Sequence, residues 1–313
     1  MAVEMTTGET KSKCDQVYPL APGWEEFPSE RSALRKARTT ASLSRKSTRM
    51  IRIVTVAFAL VWLSYSASAS TYKEVPELAE CFKAKGLVGT FVLLDPASDT
   101  IFVANEARAK ERFTPASTFK IANSLIGLDR GAVKSVDEVL PYGGKPQRLK
   151  QWEQDMNLRD AIKASNVPVY RELARRIGLP QMRDSLKKLG YGNMEIGDVI
   201  DRFWLDGPLA ISAVEQADFL ARLTAGKLPV KGEAVAAVKE ITLQEKTEVY
   251  ALHWKTGWYW PDGGGQQIGW LVGWVEREGK MFPFALNIDI ASDEDAAKRI
   301  PLGRECLRVL GKL

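Results

Sequence analysis

Apolar and polar positions alternate in three different rhythms along this chain. Over "VPELAECFKAKG" the apolar residues recur at helical spacing, and Gly86 ends the run, so a first helix is expected there. "LVGTFVLLD" and "TIFVANE" are β-rich runs on either side of a Pro-Ala-Ser-Asp turn, the pattern of a hairpin. From about 114 to 245 the pattern is mainly helical. "ISAVEQADFLARLTAGKL" is its clearest segment: Ser212 and Glu215 make a capping box, and Gly226 closes the helix. "YRELARRIGLPQMRDSLKKLG" reads as two helices broken at Gly178 and Pro180. After 246 the strand rhythm returns in "EVYALHWKTGWYW", "QIGWLVGWVERE" and "MFPFALNIDI", with turns at "PDGGGQ" and "EREGK". "DAAKRIPLGRECLRVLG" is a final helix. Strands at both ends of a long helical stretch predict an α+β fold. Its core is an antiparallel sheet of the five-stranded type, flanked by helices and carrying an inserted helical region.

The N-terminal part follows a different pattern. Arg45, Lys46, Arg49 and Arg52 precede an apolar run of 11 residues, Ile53 to Leu63, and Ala67-Ser68-Ala69 follows. Basic, apolar, then A-x-A is the order of a secretory signal. The run is shorter than the about 20 residues a membrane span needs. Residues 50–69 are therefore expected to be a signal peptide, with a membrane anchor as the alternative. Met50 is a natural start for it, so residues 1–49 read as a non-native N-terminal extension. Residues 70–313 are expected to form a single domain, exported to the periplasm, with no membrane attachment after cleavage.

Composition agrees with this division. The 313 residues are 45% hydrophobic, enough for a sizeable core, and carry a formal charge of +5. Residues 1–69 hold 10 Lys and Arg against 6 Asp and Glu, leaving 34 basic and 33 acidic residues in the remainder. A balanced body gives no footing for nucleic acid. Cys14, Cys81 and Cys306 have no C-x-x-C spacing. In an oxidising compartment Cys81 and Cys306 could pair, since chain ends often meet; two buried thiols are the equal alternative.

The single histidine, His253, excludes a multi-His metal site, and its place in a strand next to Lys255 reads as structural. A Ser-His-Asp triad would have to use it; with His253 read as structural, a lysine is the favoured base for a nucleophilic serine. Ser117-Thr118-Phe119-Lys120 places a hydroxyl and an amine on one helix face, three residues apart. Taken alone this is an ordinary helix start. A lysine serves as base only when its amine is neutral, and burial near Phe113, Phe119 and Ile121 would favour that form. Pro115 suits a helix entrance, where backbone N–H groups can stabilise an oxyanion. Lys255-Thr256-Gly257 offers a charge, a hydroxyl and a close approach to a strand.

Five pieces taken in order change the weight of these motifs: "STFK" at 117–120, "SNV" at 165–167, "YGN" at 191–193, "FWL" at 203–205 and "KTG" at 255–257. The set resembles the class D, or OXA-type, serine β-lactamases over about residues 85 to 305. The resemblance implies a β-lactamase/transpeptidase-like fold and hydrolysis of penicillin-type β-lactams, small-molecule substrates, giving resistance. It implies that Ser117 is the nucleophile and that Lys120, N-carboxylated by carbon dioxide or bicarbonate, is the general base, with no separate cofactor and no metal. Trp204 would hold the carbamate, Ser165 would shuttle a proton, and Val167 would wall the lysine. Lys255, Thr256 and Gly257 would bind the substrate carboxylate, and the N–H groups of Ser117 and Trp258 would form an oxyanion hole. Tyr191 and Asn193 would shape the pocket. Arg299 is the candidate second carboxylate ligand, in competition with Lys298. The rival functions are a penicillin-binding DD-peptidase and a β-lactam sensor domain, both of which acylate without fast turnover.

Overall fold

The computed structural model describes residues 71–313. The expected extension and signal at 1–69 lie outside the described residues. The chain opens with β1 (Thr71–Glu74), α1 (Pro76–Ala84), β2 (Gly89–Asp95) and β3 (Thr100–Ala104). Then come α2 (Glu106–Lys110), β4 (Arg112–Phe113), a 3-10 turn at Ala116–Phe119, α3 (Lys120–Asp129), α4 (Leu158–Lys163), α5 (Val167–Ile177) and α6 (Leu179–Leu189). The rest is β5 (Ile211–Ser212), α7 (Ala213–Thr224), α8 (Gly232–Thr242), β6 (Leu243–Lys246), β7 (Tyr250–Tyr259), β8 (Gln267–Arg277), β9 (Lys280–Ile290) and α9 (Asp293–Val309).

The main sheet runs β1-β3-β2-β9-β8-β7-β6. Its five central strands, β3 to β7, are the five expected, paired antiparallel throughout. Two short edge strands extend it. β1 adds parallel to β3, and β6 adds to the start of β7 through a bulge. The β6 residues stand where the sequence suggested the end of the helical region; α8 stops at Thr242, and Leu243–Lys246 turns back against the neighbouring strand. The helical region is also less continuous than its pattern. Residues 130–157 are mostly turns around a short 3-10 helix at Lys150–Trp152, and 190–210 is irregular.

Local chemistry explains the boundaries. The Ser212–Glu215 capping box starts α7. Gly178, with φ +79°, separates α5 from α6. Pro301 sits inside α9 without ending it. Two apolar cores lie on the two faces of the sheet. One joins the sheet to α3, α5, α6, α7 and α8. The other joins it to α1 and α9. Each fully buried Leu or Phe in either core contributes about 1.5–3 kcal/mol relative to exposure.

Candidate active site

The site forms where the helical region meets the end of β7. β6 pairs with β7 only at Ala251, Leu252 and His253. Beyond them, Lys255 to Tyr259 are paired on one side, with β8, and present an edge on the other. The Ala116–Phe119 turn packs against this stretch. A Cβ at Gly257 would lie 3.0 Å from the Pro115 carbonyl oxygen and 3.0 Å from Thr118 Cγ2. Glycine is needed there first for the approach of the serine turn itself, a sharper role than the expected approach of a ligand.

Ser117 is half-buried in that turn. The preceding residue, Ala116, holds φ +49°, a left-handed conformation costly for a residue with a Cβ. A buried network keeps the turn in place. Thr118 Oγ1 donates to the Pro115 carbonyl at 2.7 Å, Gln216 Nε2 donates to Thr118 Oγ1 at 2.8 Å, and Trp270 Nε1 donates to the Thr114 carbonyl at 3.0 Å. Sequence reasoning missed Gln216 and Trp270. A polar residue on the buried face of α7 was the one available signal for Gln216.

Lys120 opens α3 and is 1% exposed. Its Nζ is hydrogen-bonded to Ser117 Oγ at 2.8 Å. Burial, then the neighbouring charges of Lys255 and Arg171, holds the amine well below the usual lysine range. The face of Tyr170 lies 5.2 Å from Nζ. Trp204 is fully buried, its ring centroid 5.4 Å from that of Phe119, and its Nε1 has no hydrogen-bond partner among the described residues. A buried indole N–H without an acceptor is uncommon; among the described residues Trp274 Nε1 is a second.

Ser165 and Val167 flank the junction of α4 and α5, both half-buried. Ser165 has φ +52°, which turns the chain between the helices. Among the described residues its hydroxyl makes no hydrogen bond. Asn166 between them is structural. Its Oδ1 accepts from Val169 N at 3.1 Å and caps α5, while Nδ2 reaches the Trp152 carbonyl at 3.4 Å. Tyr191 is 1% exposed and lies edge-on to Phe119 and Phe219. It packs behind the serine turn. Asn193 closes its own turn by donating to the Pro208 carbonyl at 2.8 Å.

Lys255 is 4% exposed, and its Nζ donates to the Thr256 carbonyl at 2.9 Å. Burial, together with the charge of Arg299, pulls the amine down to about 7. Arg299 comes from α9 and donates from Nη1 to the Gly257 carbonyl. Its side chain passes over Gly269, where a Cβ would lie 2.8 Å from Arg299 Cδ. Lys298 turns the other way, to Asp295 at 3.1 Å and Glu294 at 3.5 Å. The structure thus brings Arg299, not Lys298, to the Lys-Thr-Gly strand. Trp258 points to the opposite sheet face, where Nε1 donates to Gln267 Oε1 at 2.8 Å and its ring stacks on Trp260. The tip after β7 is tied to the helical region twice: Arg148 lies 3.8 Å over the Trp260 ring, and Arg202 pairs with Asp262 at 3.4 Å. Phe203, Tyr259 and Pro261 line a cavity of about 470 Å³ beside that tip.

His253 is stacked on Trp274 at 4.5 Å, and its Nδ1 lies 3.0 Å from the Lys239 carbonyl. Burial holds it near 4, neutral and structural. No group of three or more metal-ligating side chains occurs among the described residues. The chemistry available is that of a serine, a buried lysine amine with a lowered pKa, and Lys255 and Arg299 beside an open strand edge.

The chain is similar to known proteins along most of its length. The transpeptidase family, described as the penicillin binding protein transpeptidase domain, matches residues 89–308. Beta-lactamase OXA-10 of Pseudomonas aeruginosa is 41% identical over 244 residues, 77% of this chain and 89% of that protein. Beta-lactamase OXA-48 of Klebsiella pneumoniae is 40% identical over 220 residues, covering 70% and 82%. The crystal structure of FUS-1 (OXA-85), a class D beta-lactamase from Fusobacterium nucleatum subsp. polymorphum, superposes with a TM-score of 0.74 at 47% identity, covering 77% of this chain and 100% of that one. With about 40% identity over most of the chain and most of each relative's length matched, the chain belongs to the class D, OXA-type β-lactamases.

Proposed function

We propose that this chain hydrolyses penicillin-type β-lactams through an acyl-enzyme on Ser117, with Lys120 carboxylated by carbon dioxide. The observation that carries the reading is the Ser117–Lys120 contact at 2.8 Å, with the amine buried and its pKa held well below the usual lysine range. Only a neutral amine adds to carbon dioxide. The unpartnered Trp204 Nε1 fits a new acceptor beside it. A carboxylated Lys120 would supply a carboxylate base for the Ser117 proton, held by Trp204.

The chain's own residues carry the rest. Ser117 Oγ adds to the lactam carbonyl carbon, and the backbone N–H groups of Ser117 and Trp258 hold the developing oxyanion. The ring C–N bond breaks, and the nitrogen takes a proton relayed through Ser165. Lys255, Thr256 and Arg299 hold the substrate carboxylate, and ligand approach along the β7 edge fixes the carbonyl over Ser117. Water then adds to the ester, freeing Ser117 and a ring-opened acid. A secretory segment in 50–69 fits a periplasmic site of action, where the activity protects the cell from these antibiotics.

Carbon-13 NMR of the purified chain in labelled bicarbonate tests the base. A carbamate resonance is expected in the native chain and absent in Lys120→Ala. Full turnover by Lys120→Ala would sink the mechanism.

A further inference from the structure

Both described cysteines are free and buried. Cys81 lies midway along α1 and Cys306 late in α9, and these helices pack together on the outer face of the sheet. The two side chains belong to one apolar cluster. One turn after Cys81, Lys85 pairs with Glu305, the neighbour of Cys306, at 2.6 Å. That ion pair holds the two cysteine-bearing turns face to face. The two thiols are close enough for each to act on the other's ionisation. The Cys81 thiol also donates to the Glu77 carbonyl at 3.3 Å. The proposed hydrolysis uses neither group.

We propose that Cys81 and Cys306 are an oxidation site, closed into an intrachain disulfide by a low-molecular-weight disulfide. Cys81 reacts first, being 6% exposed where Cys306 is 0%. Its thiolate attacks one sulfur of the donor, the donor's S–S bond breaks, and one thiol leaves. The Cys306 thiolate then attacks Cys81 Sγ and expels the second thiol. The donor is reduced to two thiols, and the two cysteines together lose two protons and two electrons. Burial pushes both thiols up, so thiolate is scarce and the exchange is faster at alkaline pH. The bond ties the first helix to the last and closes nearly the whole described chain into one loop, the case in which a cross-link restricts the unfolded chain most.

The test uses the full chain carrying Cys14→Ser, held with excess oxidised glutathione at alkaline pH, then unfolded, alkylated and mapped by mass spectrometry. A linked Cys81–Cys306 peptide pair is expected. The melting midpoint should rise by ~5–10 °C, reversed by reductant, with turnover unchanged. In a second variant, Cys306→Ser, one glutathione should be trapped on Cys81. Two alkylatable thiols after oxidation, or glutathione on either cysteine of the Cys14→Ser chain without the linked pair, would overturn the proposal. So would a linked pair with no rise in the midpoint.

Discussion

The two faces of the sheet follow opposite rules. The outer face, under α1 and α9, is built from Leu, Phe, Val and Ile around two thiols. The inner face buries Lys120, Asn123, Ser124 and Gln216 among its apolar side chains, and Lys255 lies at its edge. Neither buried lysine has a carboxylate beside it; the charges acting on them are other cations. A buried amine without an acid partner costs stability unless it sheds its proton. The outer face is a fold's ordinary solution. The inner face gives up stability to hold an amine of lowered pKa beside a serine, the trade expected of an active site.

Substitutions at the nucleophile and base separate the faces most strongly. Ser117→Ala and Lys120→Met should each lower β-lactam turnover by ~10³-fold or more. Lys120→Met should at the same time raise the melting midpoint, because it removes an unpaired buried amine. Loss of both activity and stability in Lys120→Met would contradict the comparison.

A pair of glycines gives the next largest contrast. Gly257→Ala pushes the serine turn at 3.0 Å contacts and should cost ~10–100-fold in kcat/KM. Gly303→Ala, in α9, brings a Cβ to 2.4 Å from Leu271 Cδ2. It should cost ~1–3 kcal/mol of stability and leave kcat/KM within about two-fold. Steady-state kinetics and thermal melts on both variants check the pair.

Much of this contrast was legible in the chain. Ser117 and Lys120 are local neighbours, so helical geometry alone joins them, and the Ser212–Glu215 capping box and the Gly178 break are equally local. Gln216, Trp270 and the depth of Tyr191 were not legible. Each depends on which distant segment packs against the serine turn, and no periodicity encodes that. The 130–157 stretch falls inside the broadly helical region, yet Gly131, Pro141, Gly143, Gly144 and Pro146 hold it in turns, a local signal that the regional pattern hid. The parallel pairing of β1 and the bulged β6 are long-range choices at sheet edges. The choice between Lys298 and Arg299 turned on a glycine in another strand, Gly269, which opens the path.

A smaller effect is expected at Arg299. Arg299→Ala should raise KM for anionic β-lactams by ~10-fold with kcat little changed, since it removes one of the cations near the carboxylate.

The smallest effect is on stability against pH. Lys255 titrates near 7 when folded and near its ordinary 10.5 when unfolded. Between those values the unfolded chain holds a proton that the folded chain lacks, so this group makes stability rise with pH from about 7 to about 10. Below 7 both states carry the charge, and its burial cost is fully felt. Melting midpoints across that window should climb less steeply in Lys255→Met than in the native chain. Equal slopes would show that Lys255 keeps its proton.

The central claim is that the inner face turns Ser117 over, rather than merely trapping an acyl group on it. Its most direct test is the hydrolysis of a chromogenic cephalosporin by the purified chain, with and without bicarbonate, followed by intact-mass measurement. The account predicts sustained turnover that bicarbonate increases, with a transient adduct on Ser117 that disappears as substrate is consumed. A stable stoichiometric adduct with no turnover, with bicarbonate present, would contradict it and point to a sensor or a DD-peptidase.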